Sequence, residues 1–125
     1  MAPIPPGSTI GILGGGQLGR MLALAAAPLG YRVHVYAPED APVAADVAAF
    51  TRGRYDDMAA LAAFAARCHV VTYEFENVPA DAVAFLETLL PVRPGAAALG
   101  VAQDRLAEKR FATGLGGRTA PFHPI

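Results

Sequence analysis

The first candidate for chemistry is a glycine-rich segment near the amino terminus. Residues 14–19 read Gly-Gly-Gly-Gln-Leu-Gly, which fits the pattern G-x-G-x-x-G. The segment follows an apolar, β-branched run at 9–13 and precedes a helical pattern. Glycines let the backbone turn tightly and approach a ligand, and the free amides at a helix N-terminus favour an anion. The sequence therefore predicts a phosphate or another anion against the backbone of residues 15–18, with a tight turn without ligand as the simpler alternative.

A second candidate is a pair of carboxylates that follows the fourth predicted strand. Glu74 and Glu76 alternate with Phe75, so in an extended chain both side chains would point the same way. Ligands of doubly wound sheets lie beyond the carboxyl ends of the strands, where the strand order reverses. We therefore expect the glycine loop and Glu74 to face each other across one crevice. A sugar phosphate would suit it, with its phosphate on the glycine loop and its hydroxyls on a carboxylate, whereas a solvated loop is the alternative.

No catalytic machinery can be recognised in the rest of the chain. The mixed-charge segment 103–110 is typical of a solvated helix face. The three histidines and Cys68 are scattered over different predicted elements, without metal-ligand spacing and without a nucleophile–base pair. The residues alone predict a binding crevice, no catalytic residue and no metal site.

The elements that must position these residues alternate between strands and helices. Leu18, Met21, Leu22, Ala25 and Leu29 recur at the spacing of an amphipathic helix. Strands are predicted at 9–13, 32–36, 48–52 and 69–73, and helices at 18–29, 57–67, 79–90, 96–101 and 103–115. Such alternation favours right-handed crossovers and a parallel sheet. The predicted fold class is α/β, a doubly wound parallel sheet in three α/β/α layers.

Composition restricts the classes of protein that remain. A chain of 125 residues suits one domain, and 54% hydrophobic residues exclude a disordered chain. A net charge of −1 gives no electrostatic case for nucleic acid, and no apolar run approaches the roughly 18 residues of a membrane span. The single cysteine excludes an internal disulfide framework and favours a reducing compartment.

From the residues alone, two other interpretations of the function remain possible. A Rossmann-type NAD(P)-binding domain of an oxidoreductase would need an acid at the tip of the second strand to hold the ribose. Glu39 or Asp40 could serve, although both lie beyond Pro38 and therefore late. The other reading is a non-catalytic, truncated binding module.

Taken together, four segments in a fixed order are similar to one known family. They resemble the amino-terminal part of 5-(carboxyamino)imidazole ribonucleotide synthase, an ATP-grasp enzyme of purine biosynthesis. Gln17 separates the chain from the related formate-dependent glycinamide ribonucleotide transformylase, which carries a glutamate there. The segments are Gly14–Met21, Val71–Pro79, Ala102–Leu106 with Glu108–Lys109, and Thr119–Phe122.

The resemblance implies a Rossmann-like pre-ATP-grasp domain within a carboxylating ligase. The family converts aminoimidazole ribonucleotide, bicarbonate and ATP into the carboxyamino product, ADP and phosphate. ATP and Mg²⁺ are the implied cofactors, with the Mg²⁺ ligands outside this chain, and the full-length form is expected to be a cytoplasmic homodimer. By itself this chain is expected to be inactive.

The resemblance also assigns roles residue by residue. Gln17 and Leu18 would contact the ribonucleotide, Glu74 would hold its ribose or amine end, and Arg105 would reach toward the ATP phosphates. The predicted substrate-binding residues are Gly15, Gly16, Gln17, Leu18, Arg20, Glu74 and Asn77. Residues 1–7 are expected to be a flexible leader, 8–102 the pre-ATP-grasp domain, and 103–125 a helix and the start of a linker toward an ATP-grasp module.

Overall fold

The computed structural model describes residues 2–125 as a parallel sheet with helices on both faces. The strands are β1 (Thr9–Leu13), β2 (Arg32–Ala37), β3 (Ala49–Arg52) and β4 (Val70–Tyr73). The helices are α1 (Gln17–Ala26), α2 (Met58–Ala65), α3 (Ala80–Glu87), α4 (Ala96–Gln103) and α5 (Arg105–Gly114). Short 3₁₀ turns lie at Ala27–Leu29 and Val43–Asp46.

The strand order β3-β2-β1-β4 confirms the predicted doubly wound sheet. All three strand pairings are parallel, and Leu13 lies opposite both Tyr36 and Tyr73 in register. The order reverses between β1 and β4, so the loops that follow these two strands flank the switch point. This register brings the glycine loop and residue 74 to the same edge of the sheet.

The two faces of the sheet carry separate apolar clusters. Leu13, Tyr36 and Val71 point to the face covered by α2, α3 and α4, where Phe64 and Leu86 are fully buried. Ile12 and Val35 point to the opposite face, where they pack with Ala44. The period of two along β1 and β2 therefore builds the three layers that the sequence predicted.

Local signals set the ends of several elements. Pro28 lies inside the 3₁₀ turn that closes α1, and Gly30 ends it with a φ of +85°. Asp57 accepts a hydrogen bond from the Ala60 amide at 3.0 Å and caps the start of α2. Pro79 was predicted as the first helical residue, but it lies at the N-cap, and α3 begins one position later at Ala80.

The sequence prediction was wrong about the boundary between the last two helices. Gln103 was expected to begin the final helix, but it is the last residue of α4. Asp104 interrupts the helical path in an extended conformation and caps α5 with its side chain. An N-cap aspartate competes well with helix continuation because it satisfies amides that a helix start leaves unpaired.

An apolar groove beside α1 remains open. Leu22 and Leu29, together with Ile10 and Ile12 of β1, line a groove of about 270 Å³ between α1 and the sheet. Leu18 and Met21 on the same helix are more than half exposed. No helix within residues 2–125 has the length and apolar character needed to cross a membrane.

Gly11 lets the helical layer approach the middle of β1. A Cβ at this position would lie 2.7 Å from Cζ of Phe64 and 2.8 Å from the Sγ atom of Cys68. Both neighbours belong to the α2 side of the core, and Phe64 is fully buried. The strand therefore requires a residue without a side chain here.

We expect Gly11→Ala to lower the free energy of unfolding by about 1–3 kcal/mol because an added methyl overpacks this contact. Urea unfolding followed by circular dichroism measures the change. Gly100→Ala is the matched control, since nothing lies within 4 Å of a Cβ built at Gly100 inside α4. That control should be neutral or more stable than the wild type because alanine favours helix. Equal effects of the two substitutions would contradict the packing argument.

Candidate functional site: a glycine loop closed by a carboxylate

The centre of the site is the side chain of Glu74, which lies on the glycine loop. Its Oε1 atom accepts a hydrogen bond from the Gly16 amide at 2.7 Å, and its Oε2 atom accepts one from the Gly19 amide. Gly16 is the N-cap of α1, and Gly19 lies in the first turn of that helix. A carboxylate therefore occupies one of the amides that the sequence assigned to a phosphate, that of Gly16, and also the amide of Gly19 just beyond that segment. Negative charge is favourable there because the N-terminus of a helix is electropositive.

The glycines of the loop make room for this carboxylate. A Cβ at Gly16 would lie 2.7 Å from Oε1 of Glu74, and one at Gly19 would lie 3.0 Å from Oε2. A Cβ at Gly14 would collide with the Cγ atom of Glu74, and the φ of +107° at Gly14 is one that L side chains rarely adopt. Three glycines of the motif thus leave the space that the side chain following β4 occupies.

Sheet pairing places Glu74 at this position. β4 ends at Tyr73, and the Glu74 amide donates to the carbonyl oxygen of Leu13 at 3.1 Å. Leu13 is the last residue of β1, directly before the loop. The backbones that follow β1 and β4 are therefore hydrogen-bonded at the point where the Glu74 side chain reaches the glycine loop. Glu74 itself is half-buried.

Three loop amides have no protein acceptor. Within residues 2–125, these are the amides of Gly15, Gln17 and Leu18. Leu18 and Glu74 also line one cavity of about 400 Å³, together with Met21, Leu22, Ala25 and Tyr73. A ligand in this cavity would meet an apolar wall and one carboxylate edge, with the unpaired amides of Gln17 and Leu18 beside it.

Some of the predicted residues lie near this centre without an assigned contact. In the part of the chain that the structure describes, the side chains of Gln17, Arg20 and Asn77 form no hydrogen bond or ion pair with the protein. Gln17 and Asn77 are exposed, and Arg20 is partly exposed. Their predicted role in substrate binding stays a prediction.

The expectation that Glu74 and Glu76 point the same way was wrong. The extended conformation stops at Tyr73, so the alternation of a strand does not continue through residues 74–76. Glu74 turns onto the loop, whereas Glu76 is exposed. One carboxylate, instead of two, faces the crevice.

Arg105 lies on a separate element at the start of α5. Its Nη1 atom is 3.0 Å from Oε2 of Glu108, and its side chain is 80% exposed. Asp104 fixes this helix end by accepting hydrogen bonds from the amides of Leu106 at 2.8 Å and Ala107 at 3.2 Å. The exposed guanidinium is free to exchange its surface partner for a phosphate, because such surface pairs contribute little free energy.

Two tyrosines near the carboxyl ends of β2 and β3 have hydroxyl groups with raised pKa values. Burial, followed by the negative charges of Asp57 and Asp56, raises the pKa of Tyr36 to about 12. Burial also raises the pKa of Tyr55, with smaller contributions from Glu39 and Glu74. Both phenols therefore stay neutral at physiological pH, and they can donate a hydrogen bond but cannot act as a base there.

A family model of the ribonucleotide synthetase preATP-grasp domain matches residues 7–103. The chain belongs to this family. The match includes the glycine loop, Glu74 and the whole sheet, and it ends at Gln103.

Relatives of this pre-ATP-grasp domain carry one recurrent name. The N5-carboxyaminoimidazole ribonucleotide synthase of Brucella melitensis is 51% identical over 98% of this chain and 34% of its own length. The crystal structure of the corresponding synthetase from Thermus thermophilus is 54% identical, with a TM-score of 0.89, over 93% of this chain and 32% of that one. An Aspergillus clavatus synthase, solved with ADP and 5-aminoimidazole ribonucleotide, is 30% identical with a TM-score of 0.77 over 87% of this chain and 30% of that one.

This pre-ATP-grasp domain spans about a third of the length of these relatives. The comparisons give no support to the alternative of an NAD(P)-dependent oxidoreductase. Asp40, one of the two acids considered for a dinucleotide ribose, is paired with Arg52 at 3.1 Å on the surface. Among residues 2–125, no three His, Cys, Asp or Glu side chains come together as a group that could hold a metal ion.

Sequence reasoning missed two polar side chains that organise the pre-ATP-grasp domain around its site. Gln103 donates from Nε2 to the carbonyl oxygen of Val78, and Glu87 accepts a hydrogen bond from the Ala96 amide at 3.0 Å. The first contact joins residues 25 apart in sequence and the second joins residues nine apart, and no periodic pattern marks either of them. Only the position of Gln103 beside Asp104 and Arg105, within one of the resemblance segments, could have drawn attention to it.

We expect Glu74→Ala to lower the free energy of unfolding of this domain by about 1.5–3 kcal/mol, because the Gly16 and Gly19 amides lose a charged acceptor. Glu76→Ala, two residues away on an exposed carboxylate, should change it by less than about 0.5 kcal/mol. Urea unfolding measures both variants.

Inorganic phosphate should then raise the melting temperature of the Glu74→Ala protein more than that of the wild type, since it can enter the vacated anion site. If phosphate stabilises the two proteins equally, Glu74 does not hold the loop amides in solution.

Proposed function

We propose that this chain is the ribonucleotide-binding part of an ATP-dependent carboxylating ligase of purine biosynthesis. The whole reaction would convert aminoimidazole ribonucleotide, bicarbonate and ATP into 5-(carboxyamino)imidazole ribonucleotide, ADP and phosphate. A cytoplasmic location and a homodimeric full-length form belong to the same proposal, as the resemblance implies both. The observation that carries it is the meeting of Glu74 with the glycine loop at the β1–β4 switch point. This meeting occurs in a chain that is 54% identical to the Thermus thermophilus synthetase.

The geometry favours a neutral or cationic part of the ligand at Glu74. The carboxylate already saturates the Gly16 and Gly19 amides, and a phosphate placed beside it would meet like charge. Ribose hydroxyls and an amine are hydrogen-bond donors that a carboxylate accepts well. We therefore assign the ribose or amine end of the ribonucleotide to Glu74 and a polar acceptor of the same ligand to the free amides of Gln17 and Leu18.

The other predicted residues take supporting roles in this proposal. Arg20 and Asn77 are close enough in sequence to the two site loops to reach the ligand from either side, and neither has a protein partner that would have to be displaced. Arg105 would contact the phosphates of ATP. Its fixed helix end and exposed guanidinium support that role.

The chemistry itself would need groups that residues 2–125 do not bring together. The chain has a single lysine, Lys109, and it lies on α5 over the ring of Phe122 at 5.1 Å. Phosphoryl transfer is catalysed by positioning and by cationic stabilisation of the transferring phosphate. We therefore place the nucleotide clamp and the metal ligands in the ATP-grasp part of the longer relatives.

The binding proposal can be tested by titrating 5-aminoimidazole ribonucleotide into the ¹⁵N-labelled chain. Amide signals of residues 16–18 and 74 should shift. In a chimaera that joins this chain to the remaining part of the Thermus thermophilus synthetase, Glu74→Ala should raise the KM for the ribonucleotide about ten- to a hundredfold, through loss of a charge-assisted contact. The KM for ATP should change little. Glu76→Ala serves as the control, and equal effects of Glu74→Ala on both KM values would assign Glu74 a structural role only.

The chain alone should not release ADP from ATP when bicarbonate and the ribonucleotide are present. Carboxyphosphate must form in a closed site that excludes water, and one domain leaves its crevice open. ADP release by the chain is compared with that of the chimaera at equal concentration. Turnover by the chain within tenfold of the chimaera would show that catalytic residues lie among those that we treat as scaffold.

A further inference from the structure

We propose that Gln103 is a positioning residue that holds the substrate loop, residues 74–79, in register with the start of α5, which carries Arg105. The inference rests on the proposed function, because that function gives the loop and Arg105 their ligands. It assigns a role to a residue outside the predicted set.

On the loop side, Gln103 supplies a contact that the loop otherwise lacks. Its Nε2 atom donates to the carbonyl oxygen of Val78, four residues after Glu74. In the described part of the chain, no other side chain bonds to the backbone of residues 75–78. The Val78 side chain is fully buried, so its carbonyl is a fixed point at the end of a loop whose centre is exposed.

On the other side, Gln103 belongs to a helix that is fixed at its start and in its middle. Glu87 accepts a hydrogen bond from the Ala96 amide at the first turn of α4, and Leu99 is fully buried against α3 and its neighbours. Gln103 is the last residue of this helix. The contact with Val78 therefore joins the loop to a rigid element.

Only Asp104 separates Gln103 from Arg105. Asp104 caps α5 through two backbone amides, so the direction in which α5 leaves α4 is set at this residue. If the Gln103 contact is lost, the last turn of α4 can fray and Arg105 can move relative to Glu74. The same contact thus orders the loop at Glu74 and the helix end at Arg105.

The amide of glutamine has the chemistry that this position needs. It donates to the carbonyl oxygen of Val78 and carries no charge of its own. Lysine at position 103 would keep a donor, alanine would remove it, and glutamate would place an acceptor of the same size against the carbonyl. Comparison of the three variants separates the effect of hydrogen-bond donation from the effect of side-chain size at position 103.

The experiment uses the ¹⁵N-labelled chain with Gln103 changed to Ala, Glu or Lys. Thr88→Ala is the control, since it removes a comparable bond, from Oγ1 to the carbonyl oxygen of Phe85 at 2.6 Å, at the opposite end of α3. We expect amide exchange at residues 75–78 and 104–106 to quicken about three- to tenfold in the Ala variant and further in the Glu variant, as expected for loss of one hydrogen bond. The Lys and Thr88→Ala proteins should match the wild type in these segments.

Titration with 5-aminoimidazole ribonucleotide gives the second readout. Its Kd should rise about three- to tenfold in the Ala variant and return toward the wild-type value in the Lys variant. If the wild type does not bind the ribonucleotide, the proposed function fails, while the ligand-free exchange rates still decide the role of Gln103. Unchanged exchange in the Glu variant, or faster exchange in one segment but not the other, would overturn the inference.

Discussion

The contact between the Glu74 carboxylate and the amides of Gly16 and Gly19 is the constraint on which the site depends. It joins the two strands that flank the switch point of the sheet, and it closes the N-terminus of α1 with a negative charge. The same contact explains why Gly14, Gly16 and Gly19 have no room for side chains. The glycine-rich pattern therefore reflects the close approach of a protein carboxylate, and the amides of Gly15, Gln17 and Leu18 remain without a protein acceptor.

This arrangement changes how a glycine loop selects its ligand. In a loop with free amides, charge favours an anion, and a phosphate enters directly. Here the Glu74 carboxylate already neutralises part of the positive potential at the N-terminus of α1. A ligand therefore contacts the outer lone pairs of this carboxylate, which accept hydrogen bonds. A Rossmann-like scaffold can thus present an acceptor surface at the position where related folds present donors.

Much of the fold could be predicted from local patterns. The β-branched runs and the alternation of strands and helices determine the sheet, and the signals at Pro28, Gly30 and Asp57 determine helix ends because each acts within a few residues. Contacts across long sequence separations could not be predicted in this way. The partners of Glu74 lie 55 and 58 residues away, and Gln103 lies 25 residues from Val78. Glu76 failed as a prediction because strand periodicity was carried three residues beyond the end of β4 at Tyr73.

The close packing at Gly11 has a consequence for the oxidation chemistry of the chain. With no side chain on the strand, Cys68 sits against the core, donates its thiol to the carbonyl oxygen of Phe64 at 3.3 Å, and burial raises its pKa to about 12. Peroxide and disulfides react with thiolates, and at neutral pH this sulfur is almost entirely protonated. The single thiol of the chain is therefore a slow target for oxidants as long as the core is intact, and a glycine on a neighbouring strand provides that protection.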